Sequence, residues 1–221
     1  VQVNRFFSFL WVLYFTTYQT HEVCAIMLIL IRHAHVLFNW EKKYTAEGFA
    51  QAQAEYDEAP IERINASRLR SIRDALPNHF ELYTSTLKRS IDTAALLFPD
   101  KTPMRLPELS EIPIYPYRDT DKLLSLWRWL FWGRMQWFCG NPRQQRTKRM
   151  VEREVEALMS LMENKNAVIV GHGFQMRTML SILAQRYPVQ KPMHIKNLDI
   201  VKCFLYEKDQ QYLSFLRKSG K

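Results

Sequence analysis

Residues 27–36 read MLILIRHAHV, in which five apolar residues are followed at once by Arg32, His33, Ala34 and His35. A short run with no polar position is typical of a strand buried on both faces, as in a parallel sheet covered by helices. We therefore predict that the strand 27–32 lies inside the fold and that the polar residues follow at its carboxyl end.

Further short apolar runs along the chain alternate with helical patterns. The other predicted strands are residues 81–85, 103–106 and 167–171, and two strands around a polar turn within 200–217. The predicted helices are residues 45–59 with Thr45 as N-cap, 88–98, and 174–187 before Pro188. Strands that alternate with helices predict an α/β fold with a doubly wound, mostly parallel sheet.

A long segment between the third and fourth predicted strands, residues 112–163, is expected to be a cap-like helical insertion rich in aromatic side chains. The apolar face of its first helix would consist of Leu123, Leu124, Trp127, Leu130 and Phe131. Asn141 followed by Pro142 is typical of a helix start. The helix after it would bury Val151, Val155, Leu158, Met159 and Met162.

Residues 1–26 differ from the rest of the chain. Arg5 precedes thirteen mostly apolar residues, 6–18, a length short for a membrane span and closer to the core of a signal peptide. Three interpretations of the segment are open. It is either an extension outside the working protein, or an export signal or membrane anchor, or an ordered N-terminal element. A start at Met27 predicts a cytoplasmic protein, and a genuine signal predicts an exported or anchored one. We expect residues 27–221 to form a single domain.

The composition is that of a globular protein and favours anionic partners. Apolar residues make up 47% and charged residues 24% of the 221 positions, and the formal net charge is +9. Such a charge attracts phosphorylated molecules, nucleic acids or acidic membranes without distinguishing among them. The three cysteines, Cys24, Cys139 and Cys203, are too few and too widely spaced for a disulfide framework or a zinc site.

Polar side chains follow three of the predicted strands at their carboxyl ends, which is where ligands bind to such sheets. These residues are Arg32 and His33 after the first strand, Arg89 after the second, and His172 after the fourth. Because the ends of parallel strands meet at one edge, we expect two arginines and two histidines to lie together there.

This set is suited to the transfer of a phosphoryl group. Guanidinium groups bind a phosphate dianion through paired donors. A neutral imidazole can attack phosphorus through one ring nitrogen while a backbone carbonyl holds the other, and a second imidazole can stabilise the phosphoryl oxygens. Glu108 or Glu111, after the third strand, could protonate the leaving group. The sequence has no H-x-x-x-H or C-x-x-C spacing, so we predict neither a metal ion nor a cofactor.

Four stretches, taken in chain order, resemble the signatures of the histidine phosphatase superfamily in its phosphoglycerate-mutase-like branch. They are LIRHAH (30–35), YTSTLKRSIDTA (83–94), LSEIPI (109–114) and VIVGHGF (168–174). The resemblance implies a three-layer α/β/α fold and a phosphohistidine intermediate. It also implies His33 as the nucleophile, Arg32, Arg89 and His172 as the phosphate pocket, and Glu111 as the proton donor, with Glu108 as the alternative.

Two positions depart from the usual pattern of that family. Ala34 stands where glycine is usual, which requires a negative φ at this residue. Val36 replaces a serine or threonine that would donate a hydrogen bond to the phosphate. His35 is expected to lie in the loop at the mouth of the site, without a chemical role.

The favoured function is hydrolysis of a small-molecule phosphomonoester. A phosphoglycerate-mutase-type transfer is the nearest alternative, disfavoured because residues 112–163 are rich in Trp, Leu and Phe rather than forming a polar, basic lid. A non-catalytic phosphate-binding or interaction module is an alternative of another class. Nucleic-acid binding is disfavoured because the basic residues are dispersed. Residues 123–138 are a candidate for peripheral membrane contact; substrate identity and oligomeric state are not encoded in any recognisable pattern.

Overall fold

The computed structural model describes residues 26–163 and 165–205. Its strands are β1 (Ile26–Arg32), β2 (Lys43–Tyr44), β3 (Glu81–Thr84), β4 (Met104–Arg105), β5 (Leu124–Ser125), β6 (Ala167–Gly171) and β7 (Ile200–Leu205). Its α-helices are α1 (Ala46–Glu58), α2 (Ala66–Asp74), α3 (Lys88–Leu97), α4 (Leu126–Phe138), α5 (Lys148–Leu161) and α6 (Gly173–Leu183). Two 3₁₀ turns, Pro107–Leu109 and Pro142–Gln144, connect some of these elements.

The main sheet has the strand order β4-β3-β6-β1-β7, and β2 pairs separately with β5. Strands β4, β3, β6 and β1 run parallel, whereas β7 is antiparallel to β1. Arg32 pairs with Gly171, and Thr84 pairs with Val170. Strands β1, β6 and β3 therefore end side by side, which brings the residues after them to one edge of the sheet.

The sheet is covered by helices on both faces. Leu28 and Leu30 of β1 belong to an apolar cluster with side chains of α5 and α6. Ile29 and Ile31 point the other way, into a cluster with side chains of α2 and α3. All four are at most 1% exposed, and burying each such side chain stabilises the fold by about 1.5–3 kcal/mol. The predicted three-layer α/β/α architecture with a mostly parallel sheet is confirmed.

Helix α4 packs on α1 through Trp129 and contributes Trp137 to the apolar cluster on the sheet. Trp129 stacks on Phe49 with ring centroids 5.5 Å apart, and its indole Nε1 donates a hydrogen bond to the Tyr44 carbonyl at 3.1 Å. Tyr44, Phe49, Ala52 and Trp129 form the buried centre of this separate cluster. The insertion thus contributes α4 as a cap next to the sheet edge, while its second helix, α5, belongs to a layer that covers the sheet.

The predicted apolar face of α4 is wrong. The helix buries Trp129, Gly133 and Trp137, and a Cβ atom at Gly133 would overlap the side chain of Ile114. The predicted residues Trp127, Leu130 and Phe131 are exposed, and Leu123 and Leu124 precede the helix. Apolar residues occur all around α4, so their spacing did not distinguish the buried side from the exposed side.

Several element boundaries also differ from the predictions. Asn141 and Pro142 begin only a 3₁₀ turn, and α5 starts later, where the Thr147 side chain accepts a hydrogen bond from the Met150 amide. Helix α6 ends at Leu183 and not at 187. Helix α2, capped by Asn65, was not predicted because its residues are mostly polar. The third strand shortens to Met104–Arg105.

Some predictions concern residues outside the described part of the chain. Residues 1–25, including the apolar run 6–18, and the second C-terminal strand beyond residue 205 belong to this group. Within the described ranges, no helix is both long and apolar enough to cross a membrane. The single domain over residues 27–221 stays a prediction.

Candidate active site

The ends of strands β1 and β6 set His33 beside His172. The His33 amide continues the strand pairing by donating a hydrogen bond to the Gly171 carbonyl at 2.9 Å. The two imidazole rings have centroids 5.0 Å apart and are tilted by 54°. Residues separated by more than half of the chain are therefore neighbours because their strands pair in parallel register.

His33 is buried, with one ring nitrogen held by the backbone. Its Nδ1 lies 2.7 Å from the Ala34 carbonyl oxygen, and a carbonyl oxygen only accepts, so Nδ1 carries the proton and Nε2 keeps a lone pair. Burial lowers the pKa of His33 from 6.5 to about 3; the Ala34 hydrogen bond opposes this effect, and the cations of Arg89 and Arg32 add to it. His33 is therefore a neutral imidazole at ordinary pH.

His172 is fully buried and is bonded through both ring nitrogens. Its Nδ1 accepts a hydrogen bond from Arg89 Nε at 3.3 Å, so its Nε2 carries the proton and faces the Ser85 hydroxyl oxygen at 2.7 Å. Burial, followed by the cation of Arg89, keeps the pKa of His172 well below its usual value. Ser85 is thus a site residue that the sequence marked only as a strand end.

Arg89, in the first turn of α3, is held by a carboxylate that sequence reasoning missed. Its Nη1 lies 2.5 Å from Asp57 Oδ1 at the end of α1, and its guanidinium carbon lies 4.8 Å from the centre of the Tyr56 ring. The available signal was the position of Asp57 in the last turn of a helix, where the helix dipole disfavours a carboxylate unless a cation is near.

Arg32 keeps a buried donor unused. Its Nη1 donates a hydrogen bond to the Ile195 carbonyl at 2.6 Å, but its Nε has no partner within the described residues. Gly173 makes room for this side chain, because a Cβ atom there would lie 3.1 Å from Arg32 Cζ. A buried N–H without a partner costs free energy, which an anion in the cleft would recover.

Glu111 caps the amino terminus of α6. Its Oε1 accepts hydrogen bonds from the amides of Gln175 at 2.9 Å and Ile112 at 3.0 Å, and its Oε2 accepts one from the Phe174 amide at 3.2 Å. Glu108 differs, because its Oε2 is buried without a partner in the described structure. Both carboxylates line the same cleft, so the choice between them as proton donor stays open.

The cleft next to these residues has a volume of about 990 Å³. Arg32, Asp57 and Arg89 line it, together with Leu126 and Leu130 of α4. The two histidines, at 3% and 0% exposure, are not part of its surface. The wall of the cleft is therefore formed by guanidinium groups and not by the imidazoles.

Arg134 of α4 brings a further cation to the cleft. Its guanidinium carbon lies 3.7 Å from the centre of the Phe174 ring, and its Nη1 has no hydrogen-bond partner among the residues described. Burial lowers the pKa of Arg134 to about 10, against the attraction of Glu111. It stays charged at neutral pH and faces a cleft in which an anion would be stabilised.

The two departures from the family pattern are explained locally. Among the described non-glycine residues, only Gln145 and Leu198 have a positive φ. The φ of Ala34 is therefore negative, as alanine in place of glycine requires. Val36 is buried and forms an isolated β-bridge with Ile61. It offers no donor to a phosphate.

His35 lies in the predicted loop but not at the mouth of the site. It is not among the residues that line the cleft, and its ring lies 3.6 Å from the exposed Glu62 carboxylate. In the part of the chain that is described, no three histidine, cysteine or carboxylate side chains converge to hold a metal ion. Metal-independent chemistry stays a prediction.

Comparison with known proteins identifies the family. The sequence profile of the histidine phosphatase superfamily (branch 1) matches residues 28–217. The chain therefore belongs to the histidine phosphatase superfamily, and the profile that it matches is that of branch 1. Membership of this superfamily indicates phosphatase or mutase activity.

Solved structures similar to this chain include both a phosphatase and a mutase. Phosphoserine phosphatase from Entamoeba histolytica, in complex with 3-phosphoglyceric acid, is 18% identical, with a TM-score of 0.54 over 80% of this chain and 89% of that one. Phosphoglycerate mutase from Bacillus anthracis is 14% identical, with a TM-score of 0.54 over 91% of this chain and 100% of that one. At these identities the similarity concerns the fold alone. No curated protein sequence matches the chain significantly.

Proposed function

We propose that this protein hydrolyses phosphomonoesters through a phosphohistidine formed at His33 Nε2. The observation that carries the proposal is the 2.7 Å contact between His33 Nδ1 and the Ala34 carbonyl. This contact holds the proton on Nδ1 and leaves Nε2 as an uncharged nucleophile. The low pKa of His33, about 3, keeps the ring neutral over most of the pH range.

The phosphate group of the substrate would bind between Arg32 and Arg89. Arg32 Nε has no partner in the described structure, and Arg89 has only the half-exposed Asp57 carboxylate as a counter-charge. A phosphate dianion would therefore gain two charge-assisted contacts and displace or share Asp57. His172 would donate to a phosphoryl oxygen when its Nε2–H turns from Ser85 to the ligand.

In the first step, His33 Nε2 forms a bond to phosphorus while the bond from phosphorus to the ester oxygen breaks. The departing oxygen takes a proton from Glu111 or Glu108. In the second step, a water molecule attacks phosphorus, its proton passes to the same carboxylate, and the N–P bond breaks. Inorganic phosphate and the unmodified His33 are the products. Neither step uses a metal ion or cofactor.

Hydrolysis is favoured over a mutase reaction by the character of the cap. A mutase must keep the phosphoenzyme dry and hold an intermediate for a second transfer, which needs a polar, basic lid. Helix α4 instead contributes Leu126 and Leu130 to the cleft, with Arg134 as its one cation among the described lining residues of that helix. Assays of 3-phosphoglycerate isomerisation, with and without bisphosphoglycerate, separate the two reactions.

The decisive experiment is to trap the intermediate. Wild-type protein mixed with an aryl phosphate and quenched in alkali should carry one phosphoryl group on the peptide that contains His33. The H33A variant should carry none, and the H35A variant should be labelled like the wild type. Wild-type release of phosphate by H33A would refute the proposal. Phosphate binding without turnover in the wild type would instead support a non-catalytic binding module.

A further inference from the structure

Helix α4 exposes an unusual number of large apolar side chains. We call the aromatic face the set that consists of Leu123, just before the helix, and the helix residues Trp127, Phe131, Trp132, Met135 and Phe138. Leu123 and Trp127 are each 64% exposed, Phe138 is 59% exposed and Trp132 is 47% exposed. Scattered apolar residues on a surface need no explanation, but a contiguous patch of this kind marks an interaction surface.

The aromatic face is not a loosely packed part of the core. The opposite side of α4 already buries Trp129, Gly133 and Trp137. On the exposed side, the rings of Trp127 and Phe131 stack on each other with centroids 4.9 Å apart and planes 11° apart. These rings therefore cover one face of each other and are poorly placed to stack on separate nucleic-acid bases.

The stretch of sequence that contains α4 carries charges of one sign. From position 122 to position 151 the sequence contains no Asp or Glu, although Asp121 and Glu152 lie just outside this range. The cations within it are Lys122, Arg128, Arg134, Arg143, Arg146, Lys148 and Arg149. Of these, Lys122, Arg128 and Arg149 are exposed and make no ion pair within the described residues. Unpaired cations beside exposed aromatic rings complement an anionic, partly apolar surface.

The aromatic face also adjoins the cleft. Leu126 and Leu130 on the same helix line the cleft, and so does Met150 at the start of α5. Helix α4 has 13 residues and is roughly 20 Å long, which is too short to span a membrane. It is long enough to lie in the plane of a membrane surface.

We propose that the aromatic face binds the surface of an anionic lipid bilayer. The indole and phenyl rings would lie at the boundary between headgroups and acyl chains, where Trp is enriched. Lys122, Arg128 and Arg149 would contact lipid phosphates and carboxylates. Bound in this way, the protein would hold the mouth of its cleft near the headgroups. The binding itself does not depend on the proposed hydrolysis.

Vesicle flotation of the full 221-residue chain tests this proposal. We expect binding to vesicles of phosphatidylcholine mixed with phosphatidylserine and much weaker binding to phosphatidylcholine alone. The W127E/F131E variant should bind the mixed vesicles at least about tenfold more weakly. It loses two rings that would be buried in the bilayer, and it gains two negative charges. The R128Q variant should bind about fivefold more weakly, since each cation near an anionic surface contributes about this factor.

The matched control is M193E, which adds a negative charge at an exposed apolar residue (83% exposed) that does not line the cleft. It should bind vesicles like the wild type, apart from a small loss from its one added charge. Circular dichroism and thermal unfolding of each variant check that the fold is intact. Equal binding by the wild type and W127E/F131E would place the attachment elsewhere, such as residues 1–26, and would overturn the proposal. A wild-type dimer that W127E/F131E dissociates, without vesicle binding, would overturn it in favour of a second copy of the chain.

Discussion

Arg89 and Asp57 join the start of α3 to the end of α1 through a contact of 2.5 Å between Nη1 and Oδ1. The arginine side chain is 3% exposed, whereas the aspartate side chain is 42% exposed. The guanidinium is therefore fixed in the core of the site, and its counter-ion comes from the solvent side. An anion that entered the cleft would compete with Asp57 for Arg89, so in the proposed mechanism Asp57 affects both the position of Arg89 and the free energy of phosphate binding.

Replacing Asp57 by asparagine should strengthen phosphate binding and weaken the fold. The D57N variant keeps a hydrogen-bond acceptor for Arg89 but removes the competing charge, so we expect inorganic phosphate to bind about threefold to tenfold more tightly. The free energy of unfolding should fall by about 1–2 kcal/mol, less than for a fully buried pair because Asp57 is partly exposed. Calorimetric titration with phosphate and urea unfolding measure the two effects.

Glu58, exposed in the same helical turn, supplies the control for this experiment. The E58Q variant removes a charge one residue away without touching Arg89, so both quantities should stay near those of the wild type. If D57N and E58Q change phosphate binding equally, the effect comes from net charge and not from the contact with Arg89.

Of the two glycines beside His172, only Gly173 should be sensitive to replacement by alanine. In G173A the new Cβ would lie 3.1 Å from Arg32 Cζ, which displaces the guanidinium. We expect kcat/KM for an aryl phosphate to fall about tenfold, the equivalent of one weakened charge-assisted hydrogen bond. In G171A the nearest atom would be Ile169 Cγ2 at 3.7 Å, an ordinary contact, so kcat/KM should change little. Steady-state kinetics of both variants would contradict this account if G171A lost more activity than G173A.

Replacing His33, the proposed nucleophile, should abolish turnover. The H33A variant should lose about 10⁴-fold or more in kcat, because a side chain that forms a covalent intermediate has no substitute in the site. The H35A variant should keep wild-type activity, since His35 is exposed and contacts only Glu62 through its ring in the described structure. Phosphate release from an aryl phosphate measures both. Loss of activity in H35A would show that the loop after β1 contributes to catalysis.

Stability should fall in acid because two imidazoles are buried in neutral form. The unfolded chain binds protons at histidine near pH 6.5, whereas folded His33 binds one only near pH 3. Between these values the unfolded state holds more protons than the folded state. The free energy of unfolding is therefore highest above about pH 6.5, as far as these histidines are concerned. It falls with the pH by about 1.4 kcal/mol per pH unit for each imidazole. His172, whose pKa is lowered in the same direction, adds a second contribution.

Urea unfolding at a series of pH values between 6.5 and 4 tests this expectation. In the H33N variant an asparagine of similar size replaces the imidazole. The slope of the unfolding free energy against pH should then be smaller by about 1.4 kcal/mol per pH unit, the contribution of one bound proton. An unchanged slope in H33N would mean that His33 is not buried in neutral form.

Local sequence patterns predicted the parts of this protein that depend on local chemistry. The uninterrupted apolar run before Arg32 and His33 identified a strand buried on both faces, and strand ends identified Arg89 and His172 as candidate neighbours. These predictions succeeded because the period of a strand and the binding edge of a parallel sheet follow from backbone geometry. The identity of the proton donor was left open by the sequence and stays open between Glu108 and Glu111.

Tertiary packing decided what local patterns left undetermined. Apolar residues occur all around α4, so packing against Phe49 and Tyr117, and not residue spacing, buries Trp129 and leaves Trp127 exposed. Asp57 reaches Arg89 because α1 and α3 meet above the sheet, a distance of 32 positions in the chain that no periodicity encodes. By itself the sequence determined the layered fold and the pair of imidazoles at its edge, through uninterrupted apolar strands that alternate along the chain with helices. The counter-ion of Arg89 and the exposed surface of the cap depended on how separate helices pack, which is a property of the assembled chain.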